Sequence, residues 1–442
     1  MRLQYTAVGI QNVSRMAVTR DDYMTDLENL ALSMRYAVWN CSLDLPVRLI
    51  AVSEGGIGGW CLGGGDDHLR ICREVVPEIP GRETDFLGEL ARELDVYIIA
   101  QMVARDPELM EDRVFNIAFV IDPHGQVIHK HYKTAFYQRE PNVAPSDIWN
   151  VYLKKFGDDP QKLFQAIFPV ARTEIGNIGT LICAEGSYPE AARGLALNGA
   201  EIIWRTQYPE PWMGNGIAEI QNRAHAVFNT CYVLSPNIGA IYFPGGSHQM
   251  SCGKSQIIDY RGNVISQYLG GGESLVSSVI DIDGLRDFRV RAQWQNLVKD
   301  MRVEQYKTIY DAAMARGGIY PKNLARAGCG IRDVVSALEN SVIALVEPWG
   351  IRALARREAP GVYVDGAKLA SIGLRVRRGC TYHGLALNVH NDLAPFSGIN
   401  SCGQPGLTAT SLKLLGAPTG LDAVGTALAD ILLNTLGLQA AT

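Results

Sequence analysis

The chain has 442 residues, 47% hydrophobic and 20% charged, with a formal net charge of −5. That length allows a large core and more than one domain, and the acidic balance leaves no broad basic face for nucleic acid. The opening residues lack an apolar core of signal-peptide length and no apolar run is long enough to span a bilayer, so the expectation is a cytoplasmic protein without a membrane partner.

Strand and helix signals alternate from the start. Thr6 to Ile10 reads as a strand, Asp21 to Val38 as a helix with acidic residues early, and Val47 to Val52 as a short buried strand ending at Ser53-Glu54. A glycine-rich loop follows; it carries no Lys-Ser or Lys-Thr and is no phosphate loop. Thr84 to Glu93 is helical, Asp95 to Ala100 a strand, and Val114 to Ile121 with Gln126 to Tyr132 a hairpin around Asp122-Pro-His-Gly125. Ile148 to Phe168 is amphipathic, a candidate pocket wall or dimer contact. The strand Asn177 to Cys183 precedes a helix, for which Ser187 and Glu190 have capping-box spacing and Gly199 is the expected stop. Strands at Ala200 to Thr206 and Tyr232 to Ser235 flank a helix near Ile217 to Phe228, and Gln256 to Tyr268 reads as a second hairpin. Hairpins mixed with crossover helices predict a layered α/β sandwich. Tyr306 to Arg316 reads as a closing helix, and a new texture begins near residue 320: a helix over Ile331 to Val346, short glycine-rich strands, and helical stretches at Ser411 to Leu415 and Leu421 to Leu436. The domain division is therefore set at 1–318 and 319–442.

The nine cysteines are scattered, with no Cys-x-x-Cys pair or Cys/His cluster that suggests a metal site. Cys183 stands apart, at the end of an apolar strand and before a helix, where α/β enzymes present a nucleophile. A thiol is mostly protonated at neutral pH, so it needs a base to take its proton and a cation to hold the oxyanion that its attack creates. Glu54 and Lys133 sit at two other strand ends and fit these roles. Taken singly, each has a plainer alternative: a buried thiol, a loop carboxylate, and part of a basic face with Lys130 and His131.

Four stretches in order raise this to a resemblance. Leu49-Ile-Ala-Val-Ser-Glu54, Val114 to Gly125 with His129-Lys-His-Tyr-Lys133, Gly179-Thr-Leu-Ile-Cys183 with Pro189, Glu190 and Arg193, and Asn222-Arg-Ala-His225 resemble the motifs of the nitrilase superfamily of carbon–nitrogen hydrolases, over about residues 5–315. The resemblance implies a four-layer αββα sandwich, hydrolysis without a cofactor, a thioester on Cys183, and a homodimer or higher homo-oligomer. It also implies a second active-site carboxylate at Glu140, whose alternative is a surface charge. Ala184 and Glu185 follow the nucleophile, where true nitrilases have Trp then Glu; the Trp is lost, and the branch stays open. Trp60, Tyr137, Tyr208 and Trp212 are candidate pocket walls in loops after strands. The expected activity is hydrolysis of a small amide to a carboxylate and ammonia or an amine, with a nitrile as the alternative substrate.

From about Tyr320 to Pro418 the chain resembles the octanoyltransferases of lipoate synthesis, through Gly366-Ala-Lys368, Thr381-Tyr-His383-Gly384 and Asn391 to Gly403. The family's acyl-transfer pair maps onto Lys368 and Cys402, with His383 and Asn388 on pocket motifs. Only the second half of that family's pattern is present, so the expectation is a smaller α+β module that lacks transferase activity, with octanoyl transfer as the alternative.

Overall fold

The computed structural model describes residues 2–59, 74–136, 140, 142–207, 216–251, 253–294, 296–315, 331–356, 359–377, 380–398 and 407–436. It forms two compact units, Met1–Met301 and Arg302–Thr442. The expected boundary at 318/319 lies outside the described residues.

The first unit opens with β1 (Gln4–Gln11), β2 (Val13–Arg15), helix α1 (Arg20–Cys41) and β3 (Val47–Val52). Helix α2 (Arg82–Leu94), β4 (Tyr97–Asp106), β5 (Met110–Ile121) and β6 (Val127–Tyr132) follow. Then come α3 (Trp149–Phe156), α4 (Pro160–Ile167), β7 (Val170–Ala171), β8 (Ile178–Ile182), α5 (Pro189–Leu197), β9 (Ile202–Thr206), α6 (Ile217–Asn229) and β10 (Tyr232–Ser235). The unit continues through β11 (Ala240–Tyr242), β12 (His248–Met250), β13 (Gln256–Ile258), β14 (Val264–Gln267), β15 (Ser274–Asp281) and α7 (Ile282–Arg291).

Two six-stranded mixed sheets result, in the orders β15-β1-β3-β4-β5-β6 and β14-β13-β10-β9-β8-β7. In each, a parallel core (β1, β3 and β4; β8, β9 and β10) is flanked by antiparallel strands. Parallel strands covered on both faces read as continuous apolar runs, and β3 shows why. Leu49 and Ala51 pack with Ile178, Ile182, Ile202 and Trp204 of the other sheet, whereas Ile50 and Val52 pack with Leu27, Leu30 and Met34 of α1. Leu195 of α5 and Ala226 of α6 cover Leu181, Ile203 and Val233 on the outer face of the second sheet. The order is thus helices, sheet, sheet, helices. Each fully buried Leu or Ile adds about 1.5–3 kcal/mol to that packing. Hydrogen bonds also cross between the sheets: Trp204 Nε1 donates to the Val52 carbonyl at 3.1 Å, and His129 Nε2 meets Thr180 Oγ1 at 3.0 Å.

In the second unit, α8 (Val303–Ala315) and α9 (Ile331–Val346) precede β16 (Leu354–Ala355), β17 (Gly361–Val364), β18 (Ala367–Arg377) and β19 (Cys380–Leu387), and α10 (Leu421–Leu436) closes the described part. The four strands form one antiparallel sheet in sequence order. Val342, Leu345 and Val346 of α9 and Val424 of α10 share a core with Val362, Val364 and Leu369.

Two local expectations fail. Ser187 does not cap α5, because a 3-10 turn over Cys183–Ser187 takes up that position and Tyr188 becomes the N-cap ahead of Pro189. Ser411 to Leu415 is no helix; it is a turn, in which the Leu415 N–H donates to the Ser411 carbonyl and the Ala417 N–H reaches the Leu412 carbonyl. Gly199 does follow the end of α5, at φ +86°, a left-handed geometry that favours glycine.

Candidate active site

The strands β3, β6 and β8 each release a polar residue just past their end: Glu54, Lys133 and Cys183. Glu54 and Lys133 are fully buried, and Lys133 Nζ donates to Glu54 Oε1 at 3.0 Å. The same ammonium donates to both oxygens of Glu140, at 2.8 and 2.9 Å. The structure therefore brings Glu140 to the lysine, away from the surface. The Cys183 thiol lies within hydrogen-bonding reach of Glu54, and its charged form interacts with Lys133. One cation so serves two carboxylates and a thiol in a space without water's screening.

These charges set one another's protonation. Burial pushes the Glu54 carboxyl above the usual range, against the opposing pull of Lys133. Burial pushes the Lys133 ammonium down, but Glu54, Cys183 and Glu140 more than offset it and hold the proton on firmly. A carboxylate raised toward neutrality is suited to accept and return a proton, and an ammonium that never loses its proton is suited to stabilise an oxyanion.

The backbone around Glu54 is fixed from several sides. Its N–H donates to Thr206 Oγ1 at 2.6 Å, at the end of β9, and the Thr206 hydroxyl donates to the Pro236 carbonyl at 2.8 Å. The Gly55 N–H donates to Gln101 Oε1 at 2.8 Å, Gln101 Nε2 to Asn116 Oδ1 at 2.8 Å, and Asn116 Nδ2 to Glu54 Oε1 at 3.2 Å. Asn116 also accepts the Lys133 N–H on its carbonyl, at 2.9 Å. Gln101, Asn116 and Thr206 were not singled out from the sequence. The signal for each is a polar residue inside (Gln101, Asn116) or at the end of (Thr206) a largely apolar strand, and such a residue needs a buried partner.

Cys183 has φ +49°, a left-handed geometry that costs a residue with a Cβ about 1–3 kcal/mol. The turn holds it there. Glu185, 1% exposed, accepts from the Ile182 N–H at 2.7 Å, the Thr134 N–H at 2.7 Å and Thr134 Oγ1 at 2.6 Å, and it pairs with His131 Nε2 at 2.9 Å. Burial pushes the Glu185 carboxyl up, but His131 and these hydrogen bonds outweigh it and leave it below the usual range. The Gly186 carbonyl faces His225 Nε2 at 2.7 Å, and the Arg205 side chain packs so close to Gly186 that a Cβ there would lie 2.1 Å from its Nε.

Trp60, Tyr137, Tyr208 and Trp212 lie outside the described residues, as does Cys402. Lys368 is buried on β18, its Nζ 5.5 Å from the centre of the Tyr363 ring, and its backbone bridges to Thr408 and Thr410. His383 faces Leu374 across the β18–β19 register. Asn388 Nδ2 donates to the Thr410 carbonyl at 3.0 Å. Among the described residues no group of three or more His, Cys, Asp or Glu could hold a metal ion, and no helix is long and apolar enough to cross a membrane.

Comparison with known proteins matches this arrangement to two families. Residues 320–432 match the lipoyl protein ligase A/B catalytic domain. The octanoyltransferase of Alkalilimnicola ehrlichii is 60% identical over 102 residues, which cover 23% of this chain and 47% of that protein. The octanoyltransferase of Xanthomonas euvesicatoria pv. vesicatoria is 51% identical over 121 residues, 27% of this chain and 52% of that one. The chain thus spans about half the length of the curated relatives it matches. For the first unit, a Saccharomyces cerevisiae member of branch 10 of the nitrilase superfamily superposes with a TM-score of 0.51 at 19% identity, covering 66% of this chain and 95% of that one. A carbon–nitrogen hydrolase from Helicobacter pylori G27 superposes with a TM-score of 0.52 at 18% identity, over 70% and 98% of the two chains. Identities this low speak to the fold alone. The family model for carbon–nitrogen hydrolases matches residues 15–290, well over half of the chain, so this protein is an enzyme of the carbon–nitrogen hydrolase family, fused to an octanoyltransferase-like domain.

Proposed function

We propose that the amino-terminal domain hydrolyses a small amide through a thioester on Cys183. The observation that carries this reading is the buried contact of Lys133 with both Glu54 and Glu140, beside a cysteine held at positive φ. Glu54 takes the thiol proton as the sulfur attacks the amide carbon. Lys133 and the Ala184 N–H hold the negative oxygen of the tetrahedral intermediate. When that intermediate collapses, the C–N bond breaks and Glu54 returns its proton to the departing nitrogen. Ammonia or an amine leaves, and the acyl group stays on sulfur. Water then attacks the thioester, giving up a proton to Glu54; the C–S bond breaks, the carboxylate is released, and the thiol regains its proton. Glu140 holds Lys133 in place and accepts a hydrogen bond from the substrate nitrogen.

The reaction consumes only the amide and water. We place the hydrolase in residues 1–318 and the octanoyltransferase-like module in 319–442, in a homodimer or higher homo-oligomer. The test is a panel of short aliphatic and aromatic amides and nitriles, scored for ammonia and for free amine, with intact mass after rapid quenching. An acyl adduct on the Cys183 peptide that appears and decays with turnover is expected. Turnover of nitriles but of no amide would move the substrate class. Turnover without any adduct on Cys183, under conditions that trap thioesters, would remove the mechanism.

A further inference from the structure

We infer that Glu185 is a positioning residue that sets the separation between the Cys183 thiol and the Lys133 ammonium; this rests on the reaction proposed above. The argument is where its hydrogen bonds go. A buried carboxylate with four hydrogen-bond partners could simply be filling space. These partners, however, bracket the two reactive positions. Ile182 immediately precedes Cys183, Thr134 immediately follows Lys133, and His131 stands two residues before the lysine, on the strand that ends there. Glu185 itself is two residues past the cysteine, in the turn Cys183–Ser187. One side chain therefore ties the nucleophile turn of the second sheet to the lysine end of the first, across 51 residues of sequence to Thr134 and 54 to His131.

Burying a carboxylate is expensive, and a well-packed apolar side chain of similar size often serves stability equally well. What an apolar side chain cannot do is hold these four donors from two segments at fixed distances. The need for fixed distance is local. Cys183 sits in a strained left-handed conformation, which relaxes unless its surroundings enforce it. A displacement of about 1 Å at such a site costs on the order of 10²-fold in rate.

The test uses the full-length protein and two readouts. Glu185→Gln keeps the volume but sets an NH2 donor among the Ile182 and Thr134 N–H donors, so one segment must let go. Its kcat is expected to fall about 10²-fold, with KM changed far less. The second readout is the pH profile of iodoacetamide alkylation at the Cys183 peptide, followed by mass spectrometry. It should move to higher pH, because the thiolate loses part of its contact with Lys133 while Glu54 remains beside it. Thr134→Val deletes a single bond to Glu185, leaves the backbone donor in place, and should give a smaller change in the same direction in both readouts; it decides the matter if Glu185→Gln does not fold. A lowered melting temperature alone, with kcat per titratable thiol and the alkylation profile both unmoved, would overturn the inference. Alkylation needs no substrate, so it reads positioning independently of the amide reaction. Failure of that reaction would show separately, as activity surviving in Cys183→Ala.

Discussion

Lys133 is the residue on which the site's charge balance turns. It is fully buried and pairs with two carboxylates that would otherwise lie uncompensated in the interior. Breaking a buried pair by removing one partner costs about 3–5 kcal/mol, since the remaining charge keeps its desolvation penalty. Lys133→Ala should therefore lower the unfolding free energy measured in urea by about 3–5 kcal/mol as well as abolish turnover; an unfolding free energy equal to wild type would show that the ammonium is not paired as described. Cys183→Ala should behave oppositely. It leaves every charge paired, so the fold should persist while turnover falls by several orders of magnitude, because the covalent route itself is gone. Retention of more than about a tenth of the wild-type rate would exclude Cys183 as the nucleophile.

Among the elements, α1 does more than cover a sheet. Asp26, buried on its inner face, accepts from the Gly58 N–H at 2.9 Å and from the Arg15 N–H at 3.2 Å, so the helix clamps the loop that follows Glu54 against β2. Gly58 has φ +71°, and a Cβ there would meet the Tyr23 ring of α1 at 2.2 Å, so the loop and the helix leave each other no slack. Burial pushes the Asp26 carboxyl up to about 7, against the backbone donors and Arg15, with Asp22 adding to the rise. The folded state thus holds a proton on Asp26 over a range in which the unfolded chain has lost it. Its contribution to stability is greatest below the ordinary aspartate range and is lost as pH rises to about 7. Melting temperature should accordingly fall across that window, and Asp26→Asn, which keeps an acceptor for the same N–H groups, should flatten the fall. An equal slope in both proteins would show that Asp26 is not the group responsible.

At the scale of the molecule, two families meet in one chain, and they are unequally complete. The hydrolase match spans nearly the whole of its structural relatives, whereas the transferase match spans about half of its curated ones. Acyl transfer depends on a pocket that orients both the chain and the carbonyl, and orientation supplies much of the rate. Lys368 is present and buried, but the match covers only about half of the length of the transferases it resembles. A chain ending at Gly318 should hydrolyse amides at the full-length rate, and the full-length protein should transfer no octanoyl group to a lipoyl-domain acceptor. Transfer that depends on Cys402 would reverse this expectation, and a folded but inactive shortened chain would assign the second module a part in shaping the hydrolase site.

The central parallel strands, most helices and the order of the motifs are legible in the sequence, because burial on two faces writes itself into continuous apolar runs such as Val47 to Val52 and Ile178 to Ile182, whereas the edge strand Ser274–Asp281 and the short β2, β7, β11 and β12 carry no such run and are not legible there. Glu54, Lys133 and Cys183 are also legible, since each sits just past a strand end within one of the four ordered motifs. Where local signals compete they mislead: Ser187 has capping spacing, but the turn that positions Cys183 claims it first. Packing of the two sheets sets the rest: Glu140 reaches Lys133, Asn116 bonds to Glu54 from 62 residues away, and Glu185 joins the two sheets. The physical reason is that these side chains have no preference for one another along the chain; they become partners when packed sheets exclude water and leave each buried donor and acceptor to find its match inside.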